Sequence, residues 1–250
     1  MSESTRLDGK VALVTGSAIR VGAEIVRELH RVGADVAIHY RSSSTPADEL
    51  ATELNDARPG SAMTVRADLL STASLEPMVT DVAQWKGRLD ILVNNASSFY
   101  ATPVGTITEQ HWDDLIGSNL KAPLFLSQAA APHLKAVNGN IVNIVDIHAT
   151  RPLKHHVVYG PAKAGLAMLT RGLAKELGPE IRVNGVSPGA ILWPKDGMSD
   201  EAKAAVLQQV PLARRGEPRD IAGCVRFLVT EAGYITGQII AVDGGRSAGW

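Results

Sequence analysis

Short apolar runs alternate along the chain with longer segments in which apolar residues recur at helical spacing. The runs occupy residues 11–14, 36–38, 63–65, 91–93, 141–145, 182–186 and 239–242. They are continuously apolar, which is the pattern of strands whose two faces are both buried. Strands that alternate with helices predict a parallel sheet with helices on both faces. We therefore predict an α/β protein with a doubly wound parallel sheet of about seven strands, folded as one domain over residues 1–250.

Ligands of open parallel sheets bind beyond the carboxyl ends of the strands, so the residues after each run are the candidates for chemistry. The first run leads into the segment TGSAIRVG at residues 15–22. Gly16 permits a tight turn, and Gly22 permits close packing where a helix begins. The amides at that helix start then face a pyrophosphate. The pattern predicts a dinucleotide site, and the alternative is an ordinary strand–turn–helix corner.

The segment after the second run selects the cofactor. A site for NAD usually carries an acidic residue there, which accepts hydrogen bonds from the ribose. This chain reads His39, Tyr40, Arg41, Ser42 and has no acid. Arg41 can form charge-assisted bonds to a 2′-phosphate, and Ser42 can add a neutral one. We therefore predict NADPH as the cofactor; the alternative is that Arg41 is a solvated loop charge.

Three further residues follow the third and fourth runs. Asp68 is placed to accept a hydrogen bond from the adenine amino group, and Asn95 and Ala96 are placed to line the ribose and the nicotinamide side. Asp and Asn also serve as ordinary caps and turn residues, so this alternative stays open for Asp68 and Asn95.

Tyr159 and Lys163 are four residues apart and open a helical segment, so their side chains share one face. A phenol has an ordinary pKa of about 10, and a neighbouring ammonium favours the phenolate and lowers that value. The pair is therefore a candidate general acid–base. Such a pair also arises by chance; here it follows a nucleotide-binding pattern and a strand that ends at Asp146.

Asn119 lies on an apolar helical stripe, because Trp112, Leu115, Ile116 and Asn119 follow the spacing i, i+3, i+4, i+7. A buried amide must find hydrogen-bond partners. We expect Asn119 to bond a backbone carbonyl and to position water beside Lys163, which would provide a proton path. The alternative is a purely structural distortion of the helix.

Composition and charge exclude several classes of protein. The 250 residues are 45% hydrophobic and 20% charged, and the net charge is -1, so no global field recruits nucleic acid or an anionic membrane. Cys224 is the only cysteine and cannot form an internal disulfide. No apolar run approaches the ~20 residues that span a bilayer, and the first ten residues contain no apolar signal segment. His155 and His156 are adjacent and lack further ligands, so no metal site is predicted. We expect a cytoplasmic protein.

Taken together, these motifs resemble the short-chain dehydrogenase/reductase family. The resemblance implies a Rossmann fold, hydride transfer at the nicotinamide, Tyr159 as proton donor, Lys163 on the nicotinamide ribose, and a homotetramer. The motifs run nearly from end to end: Thr15 and Gly16 with Gly22, Asn94 to Ala96, Asn119, Tyr159 with Lys163, Arg182 to Asn184, Ser187 to Gly189, and Val242 to Gly245.

The sequence departs from the common family pattern at two positions, and at both it resembles the pteridine reductase branch of the family. Arg20 stands where glycine is common, and Asp146, thirteen residues before Tyr159, stands where serine is common. A carboxylate cannot donate to a ketone oxygen unless it is protonated. The resemblance, which the stretch 94–100 strengthens, implies a flat pterin between the nicotinamide and Phe99. It also implies that Ser97 and Arg20 contact the pterin and that Asp146 and Tyr159 relay a proton to a ring nitrogen.

The predicted function is NADPH-dependent reduction of biopterin- or folate-like pteridines. The alternatives are a carbonyl reductase of the same fold, acting on oxoacyl, sugar or steroid substrates, and a non-catalytic NADP-binding protein. Two segments rich in Ser or in Gly and Pro, residues 42–46 and 189–198, are predicted to be mobile loops. The predicted cofactor site comprises Gly16, Arg20, Val21, His39, Tyr40, Arg41, Ser42, Asp68, Leu69, Asn95, Ala96, Ser97, Asn119, Lys163, Pro188 and Gly189.

Overall fold

The computed structural model describes residues 6–193 and 197–249 and contains one sheet of seven parallel strands in the order β3-β2-β1-β4-β5-β6-β7. The predicted single-domain, Rossmann-like α/β architecture is confirmed. The strands are β1 Val11–Val14, β2 Asp35–Tyr40, β3 Ala62–Arg66, β4 Ile91–Asn94, β5 Asn140–Ile144, β6 Arg182–Pro188 and β7 Ile239–Val242.

Helices cover both faces of the sheet, as the continuous apolar runs predicted. Successive side chains of β1 point to opposite faces: Ala12 and Val14 join one core, and Val11 and Leu13 join the other. Helices α1, α2 and α8 pack on the first face, and α3 and α5 pack on the second. The helices are α1 Arg20–Arg31, α2 Ser44–Ala57, α3 Leu75–Lys86, α4 Glu109–Ile116, α5 Ala122–Lys135, α6 Tyr159–Leu177, α7 Asp200–Leu207 and α8 Pro218–Thr230.

The strand order creates a crevice between β1 and β4, where the direction of winding reverses. The chain first winds outward from β1 to β3, and then outward in the opposite direction from β4 to β7. Ligands of doubly wound sheets bind across this point, at the carboxyl ends of the strands. A ligand bound across this crevice would therefore be expected to lie partly over β2 and β3 and partly over β5 to β7.

The expectation of a loop at residues 42–46 is wrong, because α2 begins at Ser44. Pro46 is the third residue of this helix, in the first turn, where backbone amides have no intrahelical acceptor and a proline costs no hydrogen bond. Of the second predicted loop, residues 189–198, residues 194–196 lie outside the described part of the chain.

The helix that was predicted to carry Asn119 is interrupted. Helix α4 ends at Ile116, and a π-helical turn, Gly117–Lys121, connects it to α5. The expected apolar stripe holds only in part: Leu115 and Asn119 are fully buried, whereas Trp112 is 52% exposed. A π-helical turn rotates the following residues relative to the preceding helix, which the regular spacing could not anticipate.

Neither a membrane-spanning helix nor a metal cluster is formed within residues 6–193 and 197–249. No helix there combines the length and the apolar character needed to cross a bilayer. No group of three or more His, Cys, Asp or Glu side chains there is placed to hold a metal ion.

Candidate active site

A cavity of about 900 Å³ extends along the carboxyl ends of the strands and crosses the crevice between β1 and β4. All residues of the predicted site except Asn119 border it, so the residues selected from the sequence surround one cavity. They are Gly16, Arg20, Val21, His39, Tyr40, Arg41, Ser42, Asp68, Leu69, Asn95, Ala96, Ser97, Phe99, Asp146, Tyr159, Lys163, Pro188 and Gly189.

The turn between β1 and α1 requires glycine at two positions. Gly16 has a φ of 60°, in the left-handed region. A Cβ on Gly22 would lie 2.6 Å from the carbonyl oxygen of Gly16 and 2.7 Å from the Cα of Ser17. The amide of Asn95 donates hydrogen bonds to the carbonyls of Thr15 and Gly16, at 2.9 and 3.0 Å. Asn95 thus borders the cavity while its NH₂ group holds the turn.

His39 supports the same turn from β2. Its side chain is buried; its Nδ1 accepts a hydrogen bond from the amide of Gly16 at 2.9 Å, and its Nε2 faces the carbonyl of Ala67 at 3.2 Å. This pattern assigns the proton to Nε2 in a neutral ring. Burial lowers the pKa of His39 to about 4, so the ring stays uncharged at physiological pH. Since backbone groups occupy both nitrogens, His39 shapes the site and brings no charge to it.

The start of α1 fits the pyrophosphate of a dinucleotide. Its N-cap residue Ile19 makes no side-chain cap hydrogen bond, and the first turn contains no acidic residue. Arg20, Val21 and Gly22 of this turn border the cavity. Uncapped amides at a helix N-terminus, together with the helix dipole, favour an anion at this position.

Arg20 has an unusual backbone conformation for an arginine. Its φ is 58°, in the left-handed region that favours glycine. For a residue with a Cβ, this conformation costs roughly 1–2 kcal/mol. Its side chain is exposed and borders the cavity beside the start of α1. The chain therefore carries a cation at the ligand site at the expense of local strain.

Replacing Arg20 with glycine should distinguish the effect of the backbone strain on stability from the effect of the charge on ligand binding. We expect the free energy of unfolding in urea to rise by about 1 kcal/mol, because the left-handed strain is relieved. We also expect NADPH binding, measured by titration, to weaken about tenfold, because a charged hydrogen-bond donor is lost. The matched control Arg20→Ala keeps the strain and should weaken binding without stabilising the fold. Destabilisation by Arg20→Gly would contradict this account.

Tyr159 and Asp146 form a direct hydrogen bond at the centre of the cavity. The buried phenol donates from Oη to Oδ2 of Asp146 at 2.8 Å. The other carboxylate oxygen, Oδ1, accepts from the amide of His148 at 2.8 Å, which fixes the carboxylate at the end of β5. Lys163 is also buried, and its Nζ donates to the carbonyl of Ile144 at 2.8 Å.

The prediction that Lys163 lowers the pKa of Tyr159 is wrong for this arrangement. Burial first, and then the Asp146 carboxylate, raise the pKa of the phenol well above its ordinary value, although a hydrogen bond with Ser97 opposes them. The ammonium lies 5.8 Å from the centre of the Tyr159 ring, and burial lowers the pKa of Lys163 to about 8. The nearest charge to the phenol is therefore negative, and Tyr159 keeps its proton.

Asn119 does not border the cavity, contrary to its predicted place in the cofactor site. The side chain is fully buried, and its Nδ2 donates to the carbonyls of Ser98 and Leu115 at 2.9 and 3.0 Å. Its Oδ1 accepts from Oγ of Ser97 at 2.7 Å. Asn119 thus reaches the cavity only through Ser97, and the water path to Lys163 stays a prediction.

Phe99 belongs to an aromatic cluster at the cavity edge. Its ring is 49% exposed. It stacks on His156, with ring centres 4.7 Å apart and planes at 19°, and it meets Tyr159 edge-on at 4.8 Å and 77°. His156 was missed as a site residue, and no motif in the sequence points to it. His156 covers one face of the Phe99 ring, and the exposed part of Phe99 lies beside the phenol.

The sequence reasoning also missed part of the cavity wall over β6 and β7. This region is mainly apolar and includes one cation, Arg246, that follows the last strand. The loop 189–198, which the sequence had singled out, contributes Ala190, Ile191, Leu192, Trp193 and Met198 to this wall, whereas Val206 and Arg246 were missed. The strand-end rule that selected the other residues also applies to the end of β7, so it was the signal that could have found Arg246.

Comparisons with known proteins show which proteins the whole chain is similar to. A family model described as enoyl-(acyl carrier protein) reductase matches residues 16–247. Pteridine reductase 1 of Leishmania tarentolae is 39% identical over 279 residues, covering 95% of this chain and 96% of that protein. The 3-oxoacyl-[acyl-carrier-protein] reductase FabG of Staphylococcus aureus (strain Mu50) is 37% identical over 240 residues, covering 94% and 97%. A crystal structure from Sinorhizobium meliloti 1021, described as a candidate short-chain alcohol dehydrogenase, has a TM-score of 0.93 and 32% identity, covering 98% and 99%.

The chain therefore belongs to the short-chain dehydrogenase/reductase family. It is an oxidoreductase of that family, whose reductases use NADH or NADPH. A pteridine reductase and an oxoacyl reductase resemble it to nearly the same degree. The choice between their substrates therefore depends on the chemistry of the cavity.

Proposed function

We propose that this protein is an NADPH-dependent pteridine reductase. The observation that carries the proposal is the 2.8 Å hydrogen bond from Tyr159 to the Asp146 carboxylate, beside the exposed ring of Phe99. An ionised carboxylate offers no proton to a ketone oxygen, but it accepts hydrogen bonds from the amino and ring N–H groups of a pteridine. The flat surface of Phe99 suits stacking with a bicyclic heteroaromatic ring.

The roles of the side chains follow from these contacts. Bound NADPH supplies the hydride. Phe99 orients the heterocycle, and Tyr159 donates a proton to the ring nitrogen next to the reduced carbon. A phenolate beside ionised Asp146 is unfavourable, as the raised pKa of Tyr159 indicates. Asp146 is half-buried on the cavity wall, where its carboxylate can take up a proton from solvent and pass it to Tyr159, which replaces the proton that the phenol has lost.

The second candidate is a carbonyl reductase of the same fold, which the 37% identity to the oxoacyl reductase supports. The two functions separate in one assay, in which NADPH oxidation is followed with biopterin, dihydrobiopterin and folate and with oxoacyl thioester, sugar and steroid ketones. We expect turnover of the pteridines. Turnover of the ketones alone would reverse the choice.

Arg41 should set the preference for NADPH over NADH. It is exposed at the end of β2 and borders the cavity, next to Ser42. Hydrogen bonds to charged groups are worth about 1.5–3 kcal/mol, so Arg41→Ala should lower kcat/KM with NADPH about tenfold to a hundredfold. The value with NADH, which lacks the 2′-phosphate, should hardly change and serves as the control. A wild-type enzyme that uses both cofactors equally, or prefers NADH, would contradict the assignment.

The homotetramer implied by the family resemblance and the cytoplasmic location expected from the composition stay predictions. Large apolar side chains on the outer faces of two helices are consistent with an interface between subunits. Leu124 and Phe125 on α5 are 39% and 36% exposed, and Met168 on α6 is 64% exposed. Exposed apolar side chains of this size are typical of protein contacts when they form a continuous patch.

A further inference from the structure

Arg246 is a cation of the cavity wall for which the reaction proposed above has no use. It follows β7, is half-buried, and borders the cavity together with Trp193, Met198 and Val206. No side chain of the proton relay contacts it. Its function has to be sought in what the cavity binds beyond the reacting ring.

The position of Arg246 in the sheet excludes a role in binding the 2′-phosphate. Arg41 follows β2, and Arg246 follows β7, five strands further along the sheet. At roughly 4.8 Å per strand the two strand ends are ~24 Å apart. A cofactor with its pyrophosphate at α1 and its nicotinamide at Tyr159 lies on the Arg41 side. Arg246 lies beyond Tyr159, where the distal part of a substrate would be.

The backbone that carries Arg246 is held firmly. The carboxylate of Asp243 accepts hydrogen bonds from the amides of Gly245 and Ser247, at 2.9 and 2.6 Å. The guanidinium of Arg151 bonds the carbonyl of Ser247. The turn also packs tightly on the end of β6, because a Cβ on Gly189 would lie 2.6 Å from the Cβ of Asp243. The side chain therefore projects from a fixed position.

The charge of Arg246 has no carboxylate partner among the residues that the structure describes. The guanidinium donates to Oε1 of Gln209 at 3.2 and 3.4 Å, and this acceptor is neutral. Of the carboxylates on the cavity wall, Asp146 is bonded to Tyr159 and Asp68 to the amide of Leu70. A half-buried cation oriented by a neutral amide is suited to an anion that arrives with a ligand.

We propose that Arg246 binds a carboxylate at the distal end of the substrate. This inference rests on the proposed function and refines it: the preferred pteridines carry an extended, carboxylate-bearing tail, as folates do. The apolar side chains of Trp193, Met198 and Val206 border the same cavity as the proton relay and Arg246, and an uncharged linker of such a tail would pack against them. Gln209 positions the guanidinium for this contact.

The test compares substrates with and without the tail. Arg246→Met keeps much of the length of the side chain and removes its charge. We expect KM for dihydrofolate, and Kd for folate from quenching of tryptophan fluorescence, to rise about tenfold to a hundredfold while kcat stays the same. Values for dihydrobiopterin, which has no carboxylate, should not change. Arg246→Lys should restore part of the affinity, and Arg215→Met, an exposed arginine outside the cavity, should have no effect.

Equal effects on both pteridines, no effect on either, or the same effect from Arg215→Met would overturn the inference. Failure of the proposed function gives a different result, namely a wild-type enzyme that reduces no pteridine. In that case the variants are compared on two ketones that differ only in a terminal carboxylate. A selective loss for the carboxylate ketone would support the anion contact, and equal values would overturn it.

Discussion

Replacing Tyr159 with phenylalanine should lower kcat by about two to four orders of magnitude, the usual contribution of a general acid, and leave NADPH binding nearly intact. The substitution removes the Oη that donates to Asp146 and keeps the ring that packs edge-on against Phe99. We expect cofactor binding to depend mainly on the β1–α1 turn and on Arg41, which lie apart from the phenol. The measurements are the steady-state rate of NADPH oxidation and the Kd for NADPH from fluorescence titration.

The outcome of Tyr159→Phe also tests whether the protein is an enzyme at all. Unchanged turnover would refute the role of the phenol. A wild-type protein that binds NADPH tightly but reduces neither pteridines nor ketones would support the non-catalytic alternative. Parallel loss of turnover and cofactor binding would indicate a structural effect, so thermal unfolding of the variant is measured beside the kinetics.

Replacing Asp146 with serine should change the preferred substrates from pteridines to ketones. A serine hydroxyl can donate to a carbonyl oxygen, which the carboxylate cannot do unless protonated. We expect kcat/KM for pteridines to fall by about two orders of magnitude or more, because the proton relay is lost, and ketone reduction to rise or to appear. A serine can still accept the hydrogen bond from the amide of His148, so the end of β5 should keep its conformation.

The pH dependence of kcat gives an independent measure of the effect of replacing Asp146. The Asp146 carboxylate raises the pKa of Tyr159, so its removal lowers that pKa. A general acid loses activity above its pKa, and the alkaline limit of kcat should therefore move to lower pH in Asp146→Ser. Asp146→Ala removes the charge without adding a hydrogen-bond donor, and it should show the pH shift without the gain on ketones. Equal losses on both substrate classes with no pH shift would indicate that Asp146 is only structural.

The fold and most of the cavity wall could be predicted because each depends on local or topological rules. Continuously apolar runs specify strands buried on both faces, and the carboxyl ends of parallel strands meet at one edge of the sheet. Gly16 and Gly22 were identifiable because a turn and a close contact both require the absence of a Cβ. Arg246 was missed because the strand-end rule had not been applied to the last strand, β7.

The features that could not be predicted depend on distances between parts of the chain that are remote in sequence. Spacing along a helix brings Lys163 near Tyr159, but it does not reveal that the Asp146 carboxylate lies closer to the phenol than the ammonium does. The π-helical turn at Asn119 interrupts the regular helical spacing on which the predicted apolar stripe was based. The stack of His156 on Phe99 joins two loops that no periodic pattern links.

The neutral ring of His39 has a mechanical consequence for cofactor binding. A single imidazole bonds the amide of Gly16 in the β1–α1 turn and faces the carbonyl of Ala67 beside Asp68. The pyrophosphate side and the adenine side of the predicted cofactor site are therefore linked through one side chain. A preorganised site gives up less conformational entropy on binding than one that must assemble around its ligand. Part of the affinity for the dinucleotide is thus determined by a side chain that need not touch its phosphates.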